Sequence, residues 1–155
     1  MVKEITQSNC FLVTGACWGV AREVAKAAKN ELVLTFSPGS DLKEHLKYYK
    51  YPSFSSNCLP IFTGLGLEGR NVIMVRSSDA LIFVSGRVGT LIEFSMAYQL
   101  GKVIGILKGT GGITDEIRKI VKMCQKETGA KILSDKDPSR LVRKIINALK
   151  KRENL

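Results

Sequence analysis

Two short apolar runs, Ala80–Val84 and Val103–Leu107, bracket a stretch whose apolar positions recur at helical spacing. Runs of this length without polar alternation are the pattern of strands buried on both faces. Gly86 and Gly89 precede the helix, expected over residues 91–100. Thr90, with Glu93 three residues on, matches a capping box, and Gly101 stands where a C′ glycine ends a helix. Strand, glycine loop, helix and strand make a βαβ unit, which requires a parallel sheet with a right-handed crossover.

The same order recurs along the chain. Residues 10–14 read as a strand, Gly15-Ala16-Cys17-Trp18-Gly19 as a glycine loop, residues 20–29 as a helix and residues 31–36 as the next strand. Ser40 is expected to cap a helix carrying His45, residues 48–60 to form an irregular loop, and residues 71–77 a helix. After the strand ending at Leu107 a further glycine loop follows, Lys108-Gly109-Thr110-Gly111-Gly112, with Thr114 capping a helix to about residue 127. Residues 130–133 then form a short edge strand, and Pro138 opens a final helix. The pattern predicts a three-layer, Rossmann-like α/β domain with about five parallel strands and helices on both faces, one domain over residues 1–155.

Parallel sheets bind ligands outside the carboxyl ends of their strands. The expected ligand contacts are therefore residues 15–19, the loop Ser85-Gly86-Arg87-Val88-Gly89-Thr90, and residues 108–112, whose amides at helix amino ends favour an anion. The first loop is spaced G-x-x-x-G rather than G-x-G-x-x-G, and no acidic residue follows the next strand, which argues against a standard NAD site. It is either a tight turn for close packing or a loop facing a phosphate or ring. Tyr48, Tyr49, Tyr51 and Phe54 either stack on such a ring or cover a helix edge.

The chain has 155 residues, of which 45% are hydrophobic, enough for one compact core. No apolar run reaches the roughly 20 residues of a membrane span, and the amino terminus lacks the apolar core of a signal peptide, so a cytoplasmic location is expected. Cys10, Cys17, Cys58 and Cys124 show no metal-site spacing and no metal is expected. Cys10 and Cys124 read as small buried hydrophobes, Cys17 as the reactive candidate, and His45, the sole histidine, as lying on a surface helix. The net charge of +10 is concentrated over residues 136–152, where Leu141, Ile145 and Leu149 mark an apolar face and the basic residues a solvated one. Without a recognition motif this argues for steering of phosphorylated small molecules rather than for nucleic acid.

The segment Ser85-Gly86-Arg87-Val88-Gly89-Thr90-Leu91-Ile92-Glu93 resembles the P-G-G-x-G-T-x-x-E signature of the Lonely-guy type nucleotide phosphoribohydrolases and of the related molybdenum cofactor carrier proteins. Ser85 replaces the proline and Arg87 the second glycine. Residues 108–114 strengthen the likeness to the carrier branch. The resemblance runs from Cys10 to about Leu149 and implies a missing first βα unit, since nine residues cannot hold the strand, loop and helix with which these families open. It also implies that Arg70 faces the signature glutamate, Glu93, and that the protein is a homodimer or higher homo-oligomer.

Three functions follow as expectations. The first is binding of a phosphorylated heterocycle, by resemblance a nucleotide or a molybdopterin-type cofactor. The second is cleavage of the N-glycosidic bond of a nucleoside 5′-monophosphate, with Glu93 stabilising charge on the ribose or orienting a water, and Arg70 holding the phosphate or the glutamate. The third, nucleic-acid binding or a purely structural role, rests on net charge alone. Glu93 as a helix cap and Arg70 as a partner of a neighbouring helix end are the alternatives for those two residues.

Overall fold

The computed structural model describes residues 1–15, 19–49, 54 and 56–153. By internal contacts the chain divides into two compact units, one over Val2–Met74 and one formed by Met1 and the residues from Val75 onward. Among the described residues there are six strands rather than about five, three in each unit, all paired in parallel.

The first unit contains α1 (Val2–Thr6), β1 (Leu12–Gly15), α2 (Val20–Ala27), β2 (Val33–Ser37), α3 (Leu42–Tyr48), β3 (Cys58–Phe62) and most of α4 (Gly66–Ser77). The sheet order is β1-β2-β3, with Leu12 opposite Val33 and Val33 opposite Cys58. Leu12, Val33 and Ala28 form its core, and Val2, Ile5 and Val24 pack on it from α1 and α2. Strand β3 begins at Cys58, so its first three residues lie in the stretch expected to be irregular. Pro60 interrupts its β-pattern, yet β3 pairs only with β2 among the described residues, and an edge strand tolerates a residue with no N–H to donate. Asn57, just ahead of it, ties the strand entry down by donating to Ala25 O at 3.2 Å and Glu31 O at 2.9 Å.

The second unit contains β4 (Ala80–Val84), α5 (Val88–Gln99), β5 (Val103–Leu107), α6 (Ile113–Cys124), β6 (Lys131–Asp135) and α7 (Pro138–Glu153). The order is β4-β5-β6, with Ala80, Val103 and Lys131 in register. Alternate residues face opposite sides, as the strand period of two demands. Phe83, Ile104 and Ile106 meet Phe94, Ala97 and Ile117 from α5 and α6 on one face. Val103 and Leu107 meet Leu141, Ile145 and Ala148 from α7 on the other. Every residue of β5 is buried, which is why its sequence reads as an unbroken apolar run.

Helix boundaries differ from the expectations where a polar residue imitates a cap. Helix α5 starts at Val88 with Arg87 as N-cap, so Thr90 lies inside the helix and Thr90 with Glu93 is not a capping box. Its carboxyl end is as expected: Lys102 N donates to Ala97 O and Gly101 N to Tyr98 O, with Gly101 at φ 66°. Asp41 rather than Ser40 caps α3, accepting from Glu44 N at 2.7 Å. Helix α6 follows Gly112 rather than Thr114, and α4 begins five residues before Asn71. His45 is fully buried, not on a surface face, and Cys124 is exposed rather than buried, while Cys10 is half-buried.

Candidate functional site

Arg70 sits in the second turn of α4 and is buried to 7% exposure. Asn71 Oδ1 accepts from its Nε at 3.3 Å and from Nη2 at 3.0 Å, while Nη1 reaches Phe36 O at 3.5 Å and the Tyr49 hydroxyl at 3.4 Å. The guanidinium thus lies at the carboxyl ends of β1 and β2. Gly15 lies against it: a Cβ there would stand 2.9 Å from Nη1, so a side chain at this position would displace the guanidinium. Among the described residues of its own unit no carboxylate pairs with Arg70. Burying a cation costs several kcal/mol unless an opposite charge or good hydrogen bonds offset it, and here only neutral oxygens do so.

Next to it Ser37 and His45, both fully buried, lie with Oγ 2.7 Å from Nδ1, and Gly39 N donates to the same Oγ at 3.1 Å. The His45 ring packs against Tyr49 at 4.9 Å and Phe54 at 4.6 Å between centroids. Burial pushes the imidazole below its ordinary pKa, so it stands neutral. Tyr49 and Phe54 thereby cover a helix edge, one of the two roles open to them. The alternation of polar and aromatic residues around His45 was the available signal for this cluster, and reading its helix as surface concealed it.

In the second unit the loops after β4 and β5 are bound into one piece. Ser85 N donates to Thr110 Oγ1 at 2.8 Å, Thr110 Oγ1 to Leu107 O at 2.8 Å, and Ile113 N to Gly86 O at 3.0 Å. Gly112 rests so closely on Gly86 O that no Cβ fits. The departures of Ser85 and Arg87 from the resembled signature have local causes. Ser85 holds φ 55° and uses its N–H, and proline permits neither. Arg87 is extended, with φ −126°, and needs no glycine.

At the start of α5 no side chain caps the helix, and Val88 and Gly89 are exposed, with open space around Gly89. In the loop after β5, by contrast, Gly109 N and Gly111 N each donate to the Asp115 carboxylate at 3.0 Å. Sequence reasoning missed Asp115, though an aspartate in the first turn of a helix behind a glycine loop is the usual signature of such a staple. Lys108 and Thr110 complete this loop. Glu93 is half-buried in the middle of α5. Of the first glycine loop, Ala16, Cys17 and Trp18 lie outside the described residues, and Gly19, at φ 58°, is the N-cap of α2. Among the described residues no group of histidine, cysteine or carboxylate side chains is placed to hold a metal, and no helix is long and apolar enough to cross a membrane.

Parallel α/β units with glycine loops at the strand ends define a Rossmann-like fold. The crystal structure of TM1055 shares it, with a TM-score of 0.70 over 95% of this chain and 85% of that one, at 24% identity. Residues 1–142 match the SLOG cluster4 family, and the chain belongs to that family. It is 36% identical over 107 residues to an archaeal protein of Archaeoglobus fulgidus described as uncharacterized, a match that spans 67% of this chain and 64% of the relative.

Proposed function

We propose that the protein binds a phosphorylated heterocyclic small molecule, a nucleotide or a molybdopterin-type cofactor, and that Arg70 takes the phosphate. The observation that carries this reading is a buried guanidinium, at the carboxyl ends of two parallel strands, compensated within its unit only by neutral oxygens. A phosphate supplies the missing charge and suits the planar fork of arginine. Gly15, kept free of a side chain, supports the same assignment. Within the second unit the uncapped amino end of α5 is suited to an anion in its own right, and the glycine loops of each unit are proposed as contacts for that unit's own ligand group.

Isothermal titration with AMP and with adenosine tests this. The wild type binds AMP more tightly, and Arg70→Gln lowers the ratio of the two affinities at least tenfold, a ratio unaffected by partial loss of folded protein. Equal affinities for AMP and adenosine in the wild type, with no phosphorylated compound co-purifying by native mass spectrometry, would overturn it.

A second reading, hydrolysis of the N-glycosidic bond of a nucleoside 5′-monophosphate by Glu93 and Arg70, gains support from the start of α5. With Arg87 as N-cap, Glu93 is not the glutamate of a capping box, so that explanation of its carboxylate falls. Release of adenine from AMP by the wild type, abolished in Glu93→Gln, is the outcome that establishes it. We further propose a homodimer or higher homo-oligomer, because α5 keeps Ile92 and Met96 only partly buried, and Leu100 at its carboxyl end is exposed, within the single chain. Light scattering that gives a monomer at micromolar concentration refutes this.

A further inference from the structure

We infer that the second unit carries a separate small-molecule site, a cavity between α6 and the edge strand β6 that takes a compact amphiphilic anion. The cavity measures about 340 Å3, within the range of small-ligand sites. Its floor is apolar, made by Ile106 of β5, Ile117 and Val121 of α6 and Ile132 of β6. All four belong to the cluster between the sheet and α6, so the floor is continuous with the core. Strand β6 pairs only with β5 among the described residues, and the cavity lies along that edge.

The rim is cationic. Lys108, directly after β5, and Arg118, in the second turn of α6, stand on it with the Ser134 hydroxyl, to which Arg118 Nη2 donates at 3.5 Å. Among the described residues neither cation pairs with a carboxylate. Asp115 is the one acid in the lining, and its two oxygens are occupied by Gly109 N and Gly111 N. Apolar floor, two cations and the Ser134 hydroxyl, beside a Thr114 whose own hydroxyl donates to Gly111 O, are the complement of a carboxylate or phosphate monoester on a small apolar group. A volume of about 340 Å3 has room for a single aromatic ring with its anionic head. The anionic head would meet Lys108 and Arg118, where a planar guanidinium favours two-oxygen recognition. This inference does not rest on Arg70 or on the loop after β4.

Phenyl phosphate is a suitable probe, followed by amide shifts in two-dimensional NMR of the full chain. The expected result is saturable shifts at Ile106, Arg118, Val121, Ile132 and Ser134, at least tenfold weaker binding in Arg118→Glu, and much weaker binding of inorganic phosphate and of phenol alone. Arg118 is exposed, so its replacement leaves the fold intact, which circular dichroism verifies. Val121→Trp, which fills the floor, is expected to abolish the shifts while circular dichroism shows the fold retained. Shifts confined to residues around Arg70, unchanged affinity in Arg118→Glu, or inorganic phosphate binding as tightly as phenyl phosphate would each overturn the site.

Discussion

A single imidazole gives this protein a pH dependence of known sign. Burial lowers the pKa of His45 from its ordinary 6.5, with the Ser37 hydroxyl and the rings of Tyr49, Phe54 and Phe62 around it and the Arg70 guanidinium behind Tyr49. Unfolding restores the ordinary value, so the unfolded chain takes up a proton that the folded one refuses. Stability is complete above about pH 6.5 and is lost progressively below it. Urea midpoints at pH 8 and pH 5.5 measure this, and His45→Gln should remove the slope over that window. Ser85 offers the second test at this scale. Ser85→Pro, which restores the resembled signature, forces φ to about −65° and removes the bond to Thr110; it should destabilise by roughly 3 kcal/mol, read from thermal melts. Ser85→Gly, which relieves a left-handed residue, should be neutral or stabilising by up to about 1 kcal/mol.

At the scale of elements, Asp135 fixes the entry to α7. Its carboxylate accepts from Lys144 Nζ at 2.8 Å and from Asp137 N at 2.9 Å, and lies 3.5 Å from Arg140. These contacts, Lys144 first, lower its pKa from 3.8 to about 2. The protonated form is disfavoured only when folded, so this contribution is present above about pH 3.8 and disappears as pH falls towards 2. Acid titration monitored by circular dichroism should show a shallower loss in Asp135→Asn across that interval. Asp115 is the counterpart at α6: Asp115→Ala frees two amides and should cost roughly 1 to 2 kcal/mol. Which elements could be read from the chain follows from how each is buried. Strands β4 and β5 were plain, because burial on both faces writes itself as an apolar run. The first half of strand β3 was hidden, because an edge position makes fewer demands and lets Pro60 stand. Gly101 marked the end of α5 through a positive φ that few other residues accept, whereas its start was masked by Thr90, a good cap in sequence that the chain uses inside the helix.

For the whole molecule, two three-stranded parallel sheets carry the glycine loops at their carboxyl ends, the placement that the alternation of strand and helix patterns implied. The loops after β4 and β5 were legible because their glycines are required by backbone geometry. The pairing partners were not: Asp115 on its two amides, Asn71 and Tyr49 on Arg70, and Ser37 on His45 are tertiary choices that leave no periodic trace. The excess positive charge also finds a distribution. Arg140 and Lys144 are committed to Asp135 and Arg152 to the carbonyls of Gly101 and Gly129, so part of the basic carboxyl-terminal helix is structural.

The bond from Ser85 N to Thr110 Oγ1 and that from Ile113 N to Gly86 O cross the same gap in opposite directions. Neither loop can swing outward as a body without breaking both bonds. In deuterium exchange the Ser85 and Ile113 protons should therefore be replaced at a common rate, and Thr110→Val should accelerate both together, although only one of them loses its acceptor.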